Sequence, residues 1–455
     1  MDSWSPARLI SAAGIRGTKE QEERATSALL ATMSVVPSFG HSLLKTLGAP
    51  AGRITAFVEP HFKTDDGATA IPDGAITVRR GKTEWLCLVE VKTGSTELDS
   101  DQVNRYLTIA NRESFDALLT ISNQIVAEGS ETPVTVDHRK TKRVRIGHIS
   151  WFRILTEAII QHEHRGIEDP EQAYVLADLI AYLDDPRSGA AGFDGMGKEW
   201  VGVRDAARNK TLRARDTGIS EVASDWEQFV EYLALRLRQI LGRGVTPVYP
   251  RSSSRRSRLD SHIASLVASG TLEATVSVPD TVAPIQIEAN LASRQVTTHA
   301  RVKAPEEGRA TTRLNWLLRQ LKAAPDDLRI TARFPHTRQT TSLLLSTALA
   351  DPRQLLLPDD PKRRPSAFDV AMMRNMGLKK GRDKGSFVAA TMEQVLAFYG
   401  DVLQDLRGWT RPPARLPVEQ ASDEETGEET RDEEEINAPL AIPRADPFSP
   451  DDSDS

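Results

Sequence analysis

The 455-residue chain contains one cysteine, Cys87. This excludes an internal disulfide framework and any zinc site built from several thiolates. Cys87 lies inside the apolar run Trp85-Leu86-Cys87-Leu88-Val89, the setting of an inert core thiol rather than a nucleophile. No run approaches the roughly 18 apolar residues needed to cross a bilayer. The opening Met1-Asp2-Ser3-Trp4 has no basic segment leading into an apolar one, so no signal peptide is expected and the expected address is the cytoplasm.

Charge is plentiful and unevenly placed. Lys+Arg number 58 and Asp+Glu 64, for a formal net charge of -6. Leu416 to Ser455 hold 14 acids and 2 bases, so this tail carries -12, and subtracting it from the total leaves +6 on the rest. An acidic total argues against a nucleic-acid partner. Here the acid sits in one tail and the body is basic, so the objection lapses. The tail includes Asp423-Glu424-Glu425 and Asp432-Glu433-Glu434-Glu435 with too little apolar material to offset ordering, and it is expected to be disordered. It reads either as a solubiliser or as a mimic of DNA charge.

Hydrophobic spacing predicts a helix over Thr18 to Met33, capped by Thr18, with Ala25, Ala28, Leu29 and Thr32 on one face. A short helix over Phe39 to Leu47 follows, then strands over Arg53 to Phe62, Ile71 to Val78 and Glu84 to Lys92. Gly81-Lys82 joins the last two as a hairpin. A helix over Asp99 to Arg112, strands over Phe115 to Ser122 and Val144 to Ile149, and a helix from Trp151 to His162 complete an α-β-β-β-α-β-β-α order. This is an α/β arrangement, a mixed sheet flanked by helices. Residues 166–242 read as a helical connector and 243–335 as a small α+β module. Residues 336–415 read as mostly helical, and 416–455 are the tail.

The chemistry-bearing residues fall in Ile71-Pro72-Asp73-Gly74, Glu90-Val91-Lys92-Thr93-Gly94 and Gln102-Val103-Asn104-Arg105-Tyr106. Strand alternation puts Leu86, Leu88, Glu90 and Lys92 on one face. An acid and a base thus interrupt an apolar strand near its end, which is costly unless they are paired or bound to a metal. The hairpin brings Asp73 beside Glu90. Two carboxylates with a backbone carbonyl form a hard-oxygen site suited to Mg²⁺. A neighbouring ammonium and such an ion together suit phosphodiester hydrolysis.

Pro72-Asp73 followed by Glu90-Val91-Lys92 resembles the PD-(D/E)xK nuclease superfamily. Its restriction-endonuclease-like core has the αβββαβ order read above, and the resemblance covers about Thr18 to His164. Gln102 and Tyr106 resemble the Q-x₃-Y element of its exonuclease-type branch. The resemblance implies a metal-dependent nuclease with Mg²⁺, or Mn²⁺, held by Asp73, Glu90 and the Val91 carbonyl. Lys92 is then the catalytic lysine, while Gln102 and Tyr106 shape the site and touch the substrate backbone. A glutamate from the first helix often joins such sites; Glu22 fits, with Glu23 as the neighbouring alternative. The implied substrate is DNA, with RNA open, in defence or DNA repair. The rival reading is a catalytically inactive nuclease-fold module that binds DNA or protein. The C-terminal region is the expected place for a protein partner.

Other groups have plainer readings beside functional ones. Arg251, Arg255, Arg256 and Arg258 either grip phosphates or form a solvated loop. The run Arg139-Lys140-Thr141-Lys142-Arg143-Val144-Arg145 is a DNA-contact candidate or a solvated strand edge. His162 and His164 are spaced i, i+2, which does not place two metal ligands on one helical face. Trp200 and Trp226 read as packing residues.

Overall fold

The computed structural model describes residues 8–64, 67–127, 131–190, 192–379 and 381–411. The expected disordered tail, 416–455, lies outside them. The chain divides into two compact units: residues 1–300 with 371–404, and residues 301–370 with 405–455. The boundaries expected at 165 and 242 fall inside the first unit.

The first unit opens with helices α1 (Thr18–Val35) and α2 (Pro37–Leu44). Thr18 does not cap α1: Gly17 holds the N-cap position without a side-chain bond. Instead the Glu20 carboxylate accepts from the Arg16 backbone N–H at 2.9 Å, so an acid in the first turn satisfies a donor there. The apolar face is as read, with Ala25, Ala28, Leu29 and Thr32 all buried.

Strands β1 (Arg53–Val58), β2 (Phe62–Lys63), β3 (Thr69–Ala70), β4 (Gly74–Arg80) and β5 (Thr83–Val91) follow, then helix α3 (Ser100–Arg112), strands β6 (Ala117–Ser122) and β7 (Arg145–Ser150), and helix α4 (Trp151–Ile159). The five-stranded sheet runs β1-β4-β5-β6-β7. β1, β4 and β5 are antiparallel, while β5, β6 and β7 are parallel, giving the expected mixed sheet. Arg80 pairs with Thr83 across the two-residue turn Gly81-Lys82, and Gly81 takes the positive φ (61°) that such turns require. The first strand is shorter than read. The chain leaves β1 at Glu59, which has φ 49°, and Phe62 pairs with Ala70 in a separate small hairpin.

One sheet face carries Ala75, Leu88 and Leu118 against Val103, Tyr106, Leu107 and Ala110 of α3, all buried. The other carries Ile76, Cys87 and Val89, also buried, on the side of α1. Gly74 permits that approach: a Cβ there would lie 2.6 Å from Leu30 Cδ1. Each large aliphatic side chain buried this way contributes about 1.5–3 kcal/mol. Cys87 is fully buried, and burial pushes its thiol pKa up, as an inert core residue requires.

Helices α5 (Pro170–Asp184), α6 (Trp200–Arg208) and α7 (Thr217–Leu241) continue this unit, followed by strand β8 (Thr246–Pro247) and helix α8 (Arg255–Ser269). Then comes the antiparallel meander β9 (Thr271–Ser277), β10 (Ile285–Asn290) and β11 (Gln295–Lys303), the last of which runs across the unit boundary at residue 300. Trp200 and Trp226 pack on Phe387, with ring centroids 4.5 and 6.1 Å away, as packing residues should.

In the second unit are helix α9 (Ala310–Gln320), the hairpin of β12 (Arg329–Arg333) with β13 (Thr340–Leu344), and helix α10 (Leu345–Ala350). Strand β14 (Ala367–Asn375) crosses the unit boundary and helix α11 (Phe387–Phe398) returns to the first unit. The region 336–415, expected to be mostly helical, therefore carries two strands. Phe368, Val370 and Met372 are buried in one of them at every second position, the strand period. Among the described residues no single helix is long and apolar enough to cross a membrane.

Candidate active site

The carboxylates meet where β5 ends. Gly74 is opposite Val89 in the antiparallel pair, so the residue before β4, Asp73, comes level with Glu90. Asp73 Oδ2 accepts a 2.7 Å hydrogen bond from the Val91 backbone N–H, which fixes its carboxylate beside the strand end. Glu90 is 1% exposed. Lys92 Nζ donates to Glu90 Oε1 at 2.6 Å and to the Val91 carbonyl at 2.9 Å, and lies 3.3 Å from Glu22 Oε1. Helix α1 thus delivers Glu22 to the cluster. Glu23 instead reaches Lys19 on the exposed side at 3.5 Å, which decides between the two glutamates.

Burial is the main force on these groups. It raises the Glu90 pKa to about 8, and the Asp73 charge adds to the rise while Lys92 opposes it. Burial raises Glu22 as well, against the pull of Lys92. For Lys92 burial acts downward, but the carboxylates of Glu90, Asp73 and Glu22 outweigh it, and the ammonium is held above its ordinary range.

Gln102 and Tyr106 stand one turn apart on α3, whose first turn is capped by Asp99 accepting from the Gln102 N–H at 2.7 Å. Gln102 Nε2 donates to the Tyr106 hydroxyl at 3.2 Å, and that hydroxyl donates to the Ile71 carbonyl at 3.1 Å. Tyr106 is 4% exposed, so it braces the segment leading into Asp73 from inside the core; the half-buried Gln102 is the more outward of the two. Burial first and the Glu90 charge second push the Tyr106 pKa up to about 12.

Sequence reading missed two positioning contacts. Trp151 Nε1 donates to the Lys92 carbonyl at 2.9 Å, and Asn123 Nδ2 donates to the Gly94 carbonyl at 2.8 Å. Both come from chain segments that follow the ends of parallel strands, so only the sheet order brings them there.

The other sequence candidates separate from this cluster. Arg258 neither grips phosphate nor sits in a solvated loop. It is buried, bidentate to Glu131 at 2.9 and 3.0 Å, 2.8 Å from Glu227 Oε1, and lies over the Tyr249 ring. His164 Nε2 is 2.8 Å from the Gln239 carbonyl oxygen, a structural contact. The basic run 139–145 leads into the start of β7, whereas Glu90 lies near the end of the parallel β5, so the two occupy opposite ends of the sheet.

The donor set fits a small hard cation. Glu90 Oε2 is buried without a hydrogen-bond partner, with Asp73 near enough to raise the Glu90 pKa, and a buried unpaired carboxylate oxygen is costly unless a cation compensates it. Among the described residues no three His, Cys, Asp or Glu side chains form a ready metal cage. Mg²⁺ does not need one, since it keeps several waters beside one or two carboxylates. No protein-family model and no characterised protein matches the chain.

Proposed function

We propose that the chain is a metal-dependent nuclease of the PD-(D/E)xK type, with a restriction-endonuclease-like core, hydrolysing phosphodiester bonds in DNA. The observation that carries this reading is the convergence of Asp73, Glu90, Lys92 and Glu22 at one strand end, with a buried carboxylate oxygen left unpaired. Asp73, Glu90 and the Val91 carbonyl would hold Mg²⁺ or Mn²⁺. That ion, when bound, supplies Lewis-acid stabilisation of phosphate charge and a more acidic water.

The remaining roles belong to the chain. Lys92, its ammonium held up by three carboxylates, acts as a cation that orients the attacking water and stabilises charge on the phosphate, rather than as the base. Glu22 keeps Nζ directed toward the strand end. Tyr106 and Gln102 hold the Ile71 backbone, and with it the approach to Asp73. Trp151 anchors the Lys92 carbonyl so that the lysine side chain leaves the strand in one direction.

One observation favours the rival reading of a non-catalytic binding module: Lys92 already satisfies Glu90 Oε1 and the Val91 carbonyl as a plain buried ion pair. Calorimetric titration with Mg²⁺ and Mn²⁺ separates the two. The nuclease reading expects one saturable site, lost in Asp73→Asn and Glu90→Gln. A folded wild-type protein that takes up neither ion contradicts it and supports the module.

A further inference from the structure

We infer that the end of the first sheet remote from the carboxylates is a second, non-catalytic surface for the phosphate backbone of duplex DNA. This goes beyond the proposed hydrolysis, which uses only the opposite end of the strands.

Strand direction assembles the surface. β1 begins at Arg53, β4 ends at Arg79 and Arg80, and Lys82 follows in the turn, so all four lie at the end where β5 starts. β7, parallel to β5, begins at Arg145 directly after Lys142 and Arg143. All seven of these side chains are exposed. From Glu90 back to Glu84 is six strand residues, about 20 Å, which separates the β1–β4 side of this end from Lys92. On β7, Arg145 is level with Cys87 through Ala117, three strand residues or about 10 Å from Glu90, with Arg143 and Lys142 before it. Across the sheet, β1 to β7 is four strand spacings, about 19 Å. Duplex DNA carries a charge per about 1.7 Å of axis, so a length of about 19 Å carries on the order of ten phosphates, about half of them on the side facing the protein.

The arrangement lacks internal compensation. Arg53 and Arg79 are directly paired in the antiparallel register, and like charges placed so destabilise a strand pair. Glu84 relieves only Arg79, at 2.7 Å. Asp116 accepts from the Leu86 N–H at 2.8 Å, Glu113 pairs with Arg112 at 2.9 Å, and Asp137 stays 3.9 Å from Arg139. Arg53, Arg80, Lys82, Lys142 and Arg143 have no carboxylate partner among the described residues. Exposed guanidinium groups without carboxylates match phosphate, which they bind through two parallel N–H donors. An acidic protein would meet the same charge without a regular spacing of anions.

The test uses the full chain in EDTA and a labelled duplex of about 30 base pairs, with equilibrium binding followed by fluorescence anisotropy across a salt series. Two variants divide the surface: Arg53→Gln/Arg80→Gln/Lys82→Gln and Lys142→Gln/Arg143→Gln. The expected result is a fall in the slope of log K against log salt of about 0.9 per cation removed, so about 2.7 and 1.8, with at least about tenfold weaker binding at low salt. Both variants should keep the wild-type circular dichroism and, with Mg²⁺, the wild-type kcat on a short duplex. Unchanged slopes in both variants overturn the inference. So does a wild-type protein that ignores DNA but binds polyglutamate, which points to an acidic protein. Slopes that fall while no sample cleaves DNA leave this surface standing and refute the nuclease reading alone.

Discussion

Glu90 is a carboxyl group that the fold holds well above its ordinary range, and replacing it with glutamine gives a test that needs no substrate. Its carboxyl is 1% exposed and its pKa is raised to about 8 by burial first and Asp73 second. In an unfolded chain a glutamate titrates near 4.3. Between those values the native state binds a proton that the unfolded state does not. The Glu90 contribution to the stability of the metal-free protein is therefore fully present below about pH 4 and falls as pH rises toward about 8. At about 1.4 kcal/mol per pH unit the loss reaches up to about 5 kcal/mol, with the opposing pull of Lys92 already contained in the shift. Glu90→Gln keeps the shape and does not titrate. Urea denaturation in EDTA at several pH values should show the variant gaining on the wild type, by several kcal/mol, between about pH 5 and pH 8.5. Mg²⁺ should shrink the gap, because a cation favours the ionised carboxylate. Parallel stability curves for the two proteins would refute the reasoning, since they would mean that Glu90 is not desolvated.

Arg258→Met should cost about 3–5 kcal/mol by leaving the carboxylates of Glu131 and Glu227 without their shared cation, with DNA affinity unchanged; denaturant melts and anisotropy check both halves. Cys87 should resist thiol reagents in the native protein and react only on unfolding, because it is fully buried with a raised pKa; rapid native labelling would contradict its placement. Removing residues 416–455, which carry -12, should tighten DNA binding at low salt, with the gain shrinking as salt screens it. An unchanged affinity at low salt would reduce the tail to a solubiliser.

What was legible in the sequence was whatever local spacing encodes. Alternation in the run ending Glu90-Val91-Lys92 put the acid and the base on one side of the strand, and Gly81-Lys82 fixed the register that levels Asp73 with Glu90. Asp99 and the Gln-x₃-Tyr spacing marked the start of α3 and the two residues that share its inner face. The break after Val58 was overrun although Glu59-Pro60-His61 interrupts the apolar run and Pro60 cannot donate to a strand ladder; the turn itself rests on Glu59 at positive φ. The fate of Arg258 was not legible, because its partners Glu131 and Glu227 lie 127 and 31 residues away. β14 was hidden because Ala and Met favour helices, and only the sheet environment selects the strand. The basic run 139–145 was visible as charge, but which end of the sheet it occupies depends on β7 running parallel to β5, a tertiary fact.

Cleavage itself decides whether Asp73, Glu90 and Lys92 form a working nuclease site. Purified full-length protein and its Lys92→Ala variant would be incubated with linear, circular and single-stranded DNA, in Mg²⁺, Mn²⁺ or EDTA. The prediction is metal-dependent loss of intact DNA by the wild type, with the variant folded, still binding DNA, and slower by at least about a hundredfold. Equal cleavage by both proteins, or cleavage that persists in EDTA, would contradict the assignment of Asp73, Glu90 and Lys92 as the working site.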